Sequence, residues 1–270
     1  YAKVIAESGE IFRSAPYDSY HFLVTCSDDL PANGLEHRRS SLNGDGERDL
    51  VEEDPIKGWV GYLLPHEFVH AWCGKYRRPA EMVTGDYHTP QHTELLWVYE
   101  GLAQYLGEIL NVRAGIWELD HYKRLLANDI SFLKSQPGRQ WRPLEDTAVA
   151  SGQLRERSAY WGGLRRNQDY YVEGKMLWLE FDAMIRDATS GTKSLDDFCR
   201  AFFAVTAEAL PVSPYTLDDL CAALNAVSPF DWKGFIGSRV GKTQESLPLD
   251  VVARLGYRLQ YATEAPEFVK

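Results

Sequence analysis

A chain of 270 residues with 44 % hydrophobic and 25 % charged side chains has an ordinary globular composition, enough for one large domain or two closely packed subdomains. Its net charge of −10, without any basic stripe, argues against a nucleic-acid partner, and no apolar run is long enough to span a bilayer. The four cysteines carry no C-x-x-C spacing, which excludes a disulfide scaffold.

In chain order, Ala2 to Phe12 predicts a short helix, and Tyr20 to Thr25, rich in aromatic and β-branched residues, predicts a strand ended by Ser27-Asp28-Asp29. A second extended segment, Gly34 to Leu42, runs into the turn signal Asn43-Gly44-Asp45-Gly46. Residues 1–50 are therefore expected to form a small β-rich subdomain. From Asp54 the pattern turns helical, with helices expected over Ile56 to Gly74 and Thr93 to Val112, and further ones over 115–135, 172–188, 194–206, 215–226 and 231–239.

Lys75-Tyr76-Arg77-Arg78 reads as positive charge at the carboxyl end of the first of these helices, complementing its dipole. Ser194-Leu195-Asp196-Asp197 and Thr216-Leu217-Asp218-Asp219 each place an acid three residues after a hydroxyl cap, a capping-box start with Asp in place of Glu or Gln. Gly138 to Asn167 is poor in periodic signal and reads as a long irregular connection of the kind that often borders a site. Residues 51–246 are expected to make a helical body and 247–270 a carboxyl-terminal segment.

The chemistry is concentrated in His66-Glu67-Phe68-Val69-His70. On a helix His66 and His70 lie one turn apart, so both rings reach one metal ion, while Glu67, about 100° round the helix, is placed to take a proton rather than to ligate. Zinc asks for a third protein ligand, and Glu100 is the strongest candidate, because a carboxylate within the apolar stretch Leu95 to Ala103 is costly to bury unless a cation meets it. Glu94 and Glu108 read instead as acids on a polar face. His88 and His92, in the polar connection, compete as third ligand. So does Cys73, on the same helix face three residues after His70; lying a turn beyond the expected metal position, it reads as a buried non-ligand. Pro65 removes a backbone donor just before His66, and Gln104, one turn after Glu100, could orient a ligating histidine.

His66-Glu67-Phe68-Val69-His70-Ala71-Trp72, Arg77-Arg78-Pro79 and Leu96-Trp97-Val98-Tyr99-Glu100-Gly101-Leu102 together resemble the catalytic domain of the glycyl aminopeptidase family of zinc metallopeptidases, members of the thermolysin-like gluzincins. The resemblance extends to Tyr17-Asp18-Ser19-Tyr20-His21-Phe22-Leu23, Gly34-Leu35-Glu36-His37, Tyr170-Tyr171-Val172-Glu173-Gly174-Lys175 and Leu247-Pro248-Leu249. It implies an α+β thermolysin-like fold, a small amino-terminal sheet packed on a mainly helical body, with zinc held by His66, His70 and Glu100 and with Glu67 as base. It further implies Tyr171 as the hydrogen-bond donor to the oxyanion, with Tyr170 as the near alternative among fifteen tyrosines. Gly34 and Glu36 are implied as the substrate-gripping strand, Glu36 meeting the α-ammonium of a peptide with a free amino terminus.

The activity so implied is removal of an amino-terminal residue, preferably a small one such as Gly or Ala. Two other readings stand beside it: a zinc endopeptidase or other amide hydrolase on the same scaffold, and a non-catalytic peptide-binding module, which has no use for a proton acceptor at Glu67. Family members usually carry a β domain before this region and a PDZ domain after it. Since the chain opens at Tyr1 without a leader and closes where a PDZ domain would begin, the expectation is an excised catalytic module from a periplasmic or envelope protein.

Overall fold

The structure, a computed structural model, describes residues 1–52, 59–155, 161–205 and 212–261. Helix α1 (Ala2–Phe12) forms as expected and buries Val4, Ile11 and Phe12 in the helical core. The Phe12 ring stacks on Trp72 with centroids 4.3 Å apart, and the Trp72 indole N–H donates to the Ser14 carbonyl at 2.7 Å.

Three strands follow: β1 (His21–Cys26), β2 (Asn33–Glu36) and β3 (Ser40–Asp45). β3 is central, parallel to β1 and antiparallel to β2, so β2 is an edge strand. The expected single extended segment from Gly34 to Leu42 is thus two strands. The chain reverses at His37-Arg38-Arg39, where the His37 N–H donates to Ser40 O at 2.8 Å and Arg38 Nε to Pro16 O at 3.0 Å. None of these three is a usual turn former, so the reversal left no local signal. Phe22, Ser41 and Glu36 share one row of the sheet and Val24, Asn43 and Gly34 the next but one. Because strand residues alternate between faces, Gly34 and Glu36 face the same way.

Helix α2 (Trp59–Val69) carries His66, the first histidine of the pair, and Glu67. The expected start at Ile56 lies outside the described residues, and the helix ends before Gly74: its last turn tightens, with Ala71 N–H on Phe68 O and Trp72 N–H on Val69 O, before the chain turns away. Pro65 cannot donate to the Gly61 carbonyl; the Asn111 amide, from the next long helix, supplies that bond at 2.7 Å. The basic run that follows is not a helix end. Arg77–Pro79 is strand β4, paired with β5 (Ser213–Tyr215), and Arg77 Nη1 donates to Phe202 O at 2.9 Å with its guanidinium 4.1 Å above the Phe202 ring.

Helix α3 (Leu96–Arg113) is the spine of the body and is buried along most of its length. It crosses α6 (Asp169–Ala188) at Gly101 and Gly174, where a Cβ on Gly101 would stand 2.8 Å from Gly174 Cα, so neither position has room for a side chain. Trp97 and Trp178 stack beside this crossing at 5.8 Å. Between them lie α4 (Leu119–Lys134) and α5 (Leu144–Val149). The stretch expected to be irregular, 138–167, contains α5 and the short helical turns 151–155 and 162–165; residues 156–160 lie outside the described ones.

Helices α7 (Leu195–Phe202), α8 (Leu217–Val227) and α9 (Trp232–Arg239) close the body. The capping boxes at Ser194 and Thr216 form with Asp197 and Asp219 as their acids. The tail of the helix expected over 194–206 falls partly outside the described residues, and α7 stops at Phe202. Leu247, Val251 and Val252 join the same core. The α+β architecture, a small amino-terminal sheet against a helical body, is the one expected, and among the described residues no helix is long and apolar enough to cross a membrane.

Candidate metal centre

α2 and α3 bring His66, His70 and Glu100 to one point. His70 Nε2 lies 3.0 Å from His66 Nε2, and Glu100 Oε2 lies 3.4 Å from His66 Nε2 and 3.2 Å from His70 Nε2. Glu100 Oε2 is buried, and it and the two ring nitrogens lie within 4.8 Å of one another, close enough for all three to reach one ion. Ligands about 2.0–2.1 Å from a tetrahedral ion stand about 3.3 Å apart, which these spacings match. The three residues form a group that could hold a metal ion.

The charges fit the same reading. Burial would raise the Glu100 carboxyl, but the two imidazoles outweigh it and hold its pKa well below the usual carboxylate range. Burial would likewise lower His70, but the neighbouring carboxylates, Glu100 foremost and then Glu36 and Glu67, raise it to about 9. His70 Nδ1 is tied to the Cys73 carbonyl at 2.9 Å, an orienting contact of the kind that leaves Nε2 to a metal. Cys73 does not belong to that group: its Sγ lies 3.5 Å from the carbonyls of Val98 and Tyr99, and burial pushes its thiol pKa up. His88 and His92 are exposed and away from the cluster, His92 lying 3.7 Å from Glu94.

Glu67 is buried beside the cluster, its Oε2 without a hydrogen-bond partner, and burial raises its pKa against the opposing pull of His66 and His70. Its other oxygen lies against Gly34: a Cβ there would stand 2.0 Å from Oε1, so the glycine is where the edge strand makes room for the carboxylate. Glu36, two residues on, accepts from the Tyr99 hydroxyl at 2.6 Å and pairs with Lys75 Nζ at 3.1 Å. Burial would raise its pKa, but His70, Lys75 and the Tyr99 bond bring it below the usual value.

Tyr171 stands in the first turn of α6 with its ring 6.1 Å from that of His66, while Tyr170 is buried in the core and accepts from Gln168 at 3.0 Å. Gln104 reaches His66 through Tyr62: the Tyr62 hydroxyl lies 3.0 Å from His66 Nδ1 and donates to Gln104 Oε1. Glu108 is not on a polar face. It is 2 % exposed and bonded to the equally buried Lys175 of α6 at 2.6 Å, a cation that only the fold brings to it. Tyr62, one turn before His66, could have been found from its spacing; Tyr99 and Lys75 meet Glu36 only across the fold.

Residues 60–177 match the M61 glycyl aminopeptidase family. Among solved structures, the chain is similar to an aminopeptidase N family protein from Idiomarina loihiensis, with a TM-score of 0.83 and 22 % identity over 94 % of this chain and 43 % of that one. It is also similar to native leukotriene A4 hydrolase from Saccharomyces cerevisiae, with a TM-score of 0.57 and 16 % identity over 93 % of this chain and 36 % of that one. At these identities the likeness carries the fold, and this chain spans less than half the length of either protein. No curated protein matches the sequence.

Proposed function

Starting from a segment, residues 60–177, that matches the M61 glycyl aminopeptidase family, we propose that this chain is a zinc-dependent aminopeptidase. The observation that carries the proposal is the convergence of His66 Nε2, His70 Nε2 and Glu100 Oε2 beside a buried, otherwise unpartnered carboxylate, Glu67. Zinc held there would polarise the scissile carbonyl and make an attacking water acidic enough to ionise near neutral pH. Glu67 takes the proton from that water and hands it to the leaving amine, a role suited to a carboxyl whose pKa burial has raised. Tyr171 donates its phenolic hydrogen to the oxyanion; burial raises its pKa well above the usual value, so it stays a neutral donor.

The edge strand β2 offers its backbone to an extended peptide, and Glu36 receives the α-ammonium. Its Oε1 bonds to Tyr99 and Lys75 leave acceptor capacity on the same carboxylate, which has about four lone-pair sites. The preference for a small first residue such as Gly or Ala rests on the family match. One observation favours a second reading, a zinc endopeptidase: Lys75 already supplies Glu36 with a cation, so no substrate amine is required there. Hydrolysis of a glycyl peptide compared with its N-acetylated form separates the two. The aminopeptidase reading expects the free amine to be cleaved and the acetylated peptide to resist; equal rates would sink it.

A further inference from the structure

A chain of hydrogen bonds leads from His66 to a buried ion cluster that the proposed chemistry does not use. The Tyr62 hydroxyl meets His66 Nδ1 at 3.0 Å and donates to Gln104 Oε1; Gln104 Nε2 donates to Glu108 Oε1 at 2.9 Å. Lys175 Nζ donates to the same Glu108 Oε1 at 2.6 Å and also to Asp129. Glu108 and Lys175 are each 2 % exposed, in a core where an ion pair is retained at a cost in desolvation.

We propose that Glu108 is a positioning residue for His66: acting through Gln104 and Tyr62, and held in place by Lys175, it keeps the imidazole proton on Nδ1 and leaves the Nε2 lone pair free for a metal ion. The polarity of the chain forces this. Glu108 Oε1 accepts from both Lys175 and Gln104, so the Gln104 amide must turn its NH2 towards Glu108 and its carbonyl towards Tyr62. Tyr62 then spends its single hydrogen on that carbonyl and can only accept from His66 Nδ1. Without an acceptor at position 108 the amide is free to turn over. Tyr62 would then donate to Nδ1, and the imidazole proton would move to Nε2, facing His70 and Glu100.

The role of Nε2 as a ligand atom rests on the zinc reading above; the tautomer does not, and it is read without metal. The test compares wild type with Glu108→Leu, Glu108→Gln and Tyr62→Phe. Lys175 keeps Asp129 as a partner in the leucine variant, so no buried cation is orphaned. Nitrogen-15 NMR of the metal-free protein, labelled at histidine, should show His66 protonated at Nδ1 in wild type and Glu108→Gln, and at Nε2 in an appreciable fraction of Glu108→Leu. Zinc affinity, measured by competition with a chelator, should fall about 10–100-fold in Glu108→Leu and recover in Glu108→Gln, whose amide oxygen can still accept from Gln104. Adding Glu108→Leu to Tyr62→Phe should cost nothing more, because the chain is already cut. An Nδ1–H tautomer and wild-type zinc affinity in Glu108→Leu would overturn the proposal, as would an undiminished effect of that substitution in the Tyr62→Phe background. Should Glu108→Leu fail to fold, Gln104→Met, which cuts the chain one link earlier, carries the same expectations. A wild type that binds no zinc but shows the expected tautomers would defeat the metal reading and leave the positioning role standing.

Discussion

Gly34 shows how closely a single atom is specified around the centre. A Cβ at that position would stand 2.0 Å from Glu67 Oε1 and 2.7 Å from Leu63 Cδ1, so Gly34→Ala must displace the carboxylate. The expected outcome is a drop in kcat with the metal retained, read from steady-state kinetics beside metal analysis. Tyr171→Phe keeps the ring near His66 and removes only the donor; kcat is expected to fall about 10²–10³-fold with KM little changed, the mark of an interaction made in the transition state. The three residues that come together as a group able to hold a metal ion were legible in the sequence because their signals are local: one helical turn between His66 and His70, and a carboxylate within an apolar run at Glu100. Tyr62, one turn before His66, carries a similar local signal. Lys75 and Tyr99 do not, since their contacts with Glu36 join strand β2 to residues far along the chain.

At the scale of elements, α2 depends on its neighbour for a bond it cannot make itself. Pro65 leaves the buried Gly61 carbonyl without its helical donor, and Asn111 of α3 replaces it. Asn111→Ala is expected to cost about 1–3 kcal/mol, the penalty for an unpaired buried polar group, measured by urea unfolding. The first turn of α6, which presents Tyr171, is braced in a related way: Asp169 and Glu173 accept from Arg166, and Arg139 Nη2 lies 3.1 Å from Glu173. Helix starts at Ser194 and Thr216 could be read directly, because a capping box lies within four consecutive residues. The β2–β3 reversal could not, because its turn is held by long-range bonds such as that from Arg38 to Pro16. The burial of Glu108 carries no local signal for the same reason: the ammonium that makes it tolerable comes from α6.

Over the whole molecule, the sheet and the two central helices converge on one place. The sheet supplies Gly34 and Glu36, α2 supplies His66 and Glu67 with His70 just past its end, α3 supplies Glu100, and α6 brings Tyr171 over a crossing that Gly101 and Gly174 keep tight. That arrangement explains why the α+β outline could be expected from periodicity and motif together, while the buried charge clusters that set helix against helix could not. The most direct measurement is the zinc content of the purified, metal-replete protein taken together with glycyl-peptide hydrolysis, for wild type and for Glu67→Gln. The account predicts about one zinc per chain in both proteins, with hydrolysis in wild type and a loss of about 10²–10⁴-fold in Glu67→Gln. A wild type without zinc, or a Glu67→Gln protein that cleaves at the wild-type rate, would contradict it.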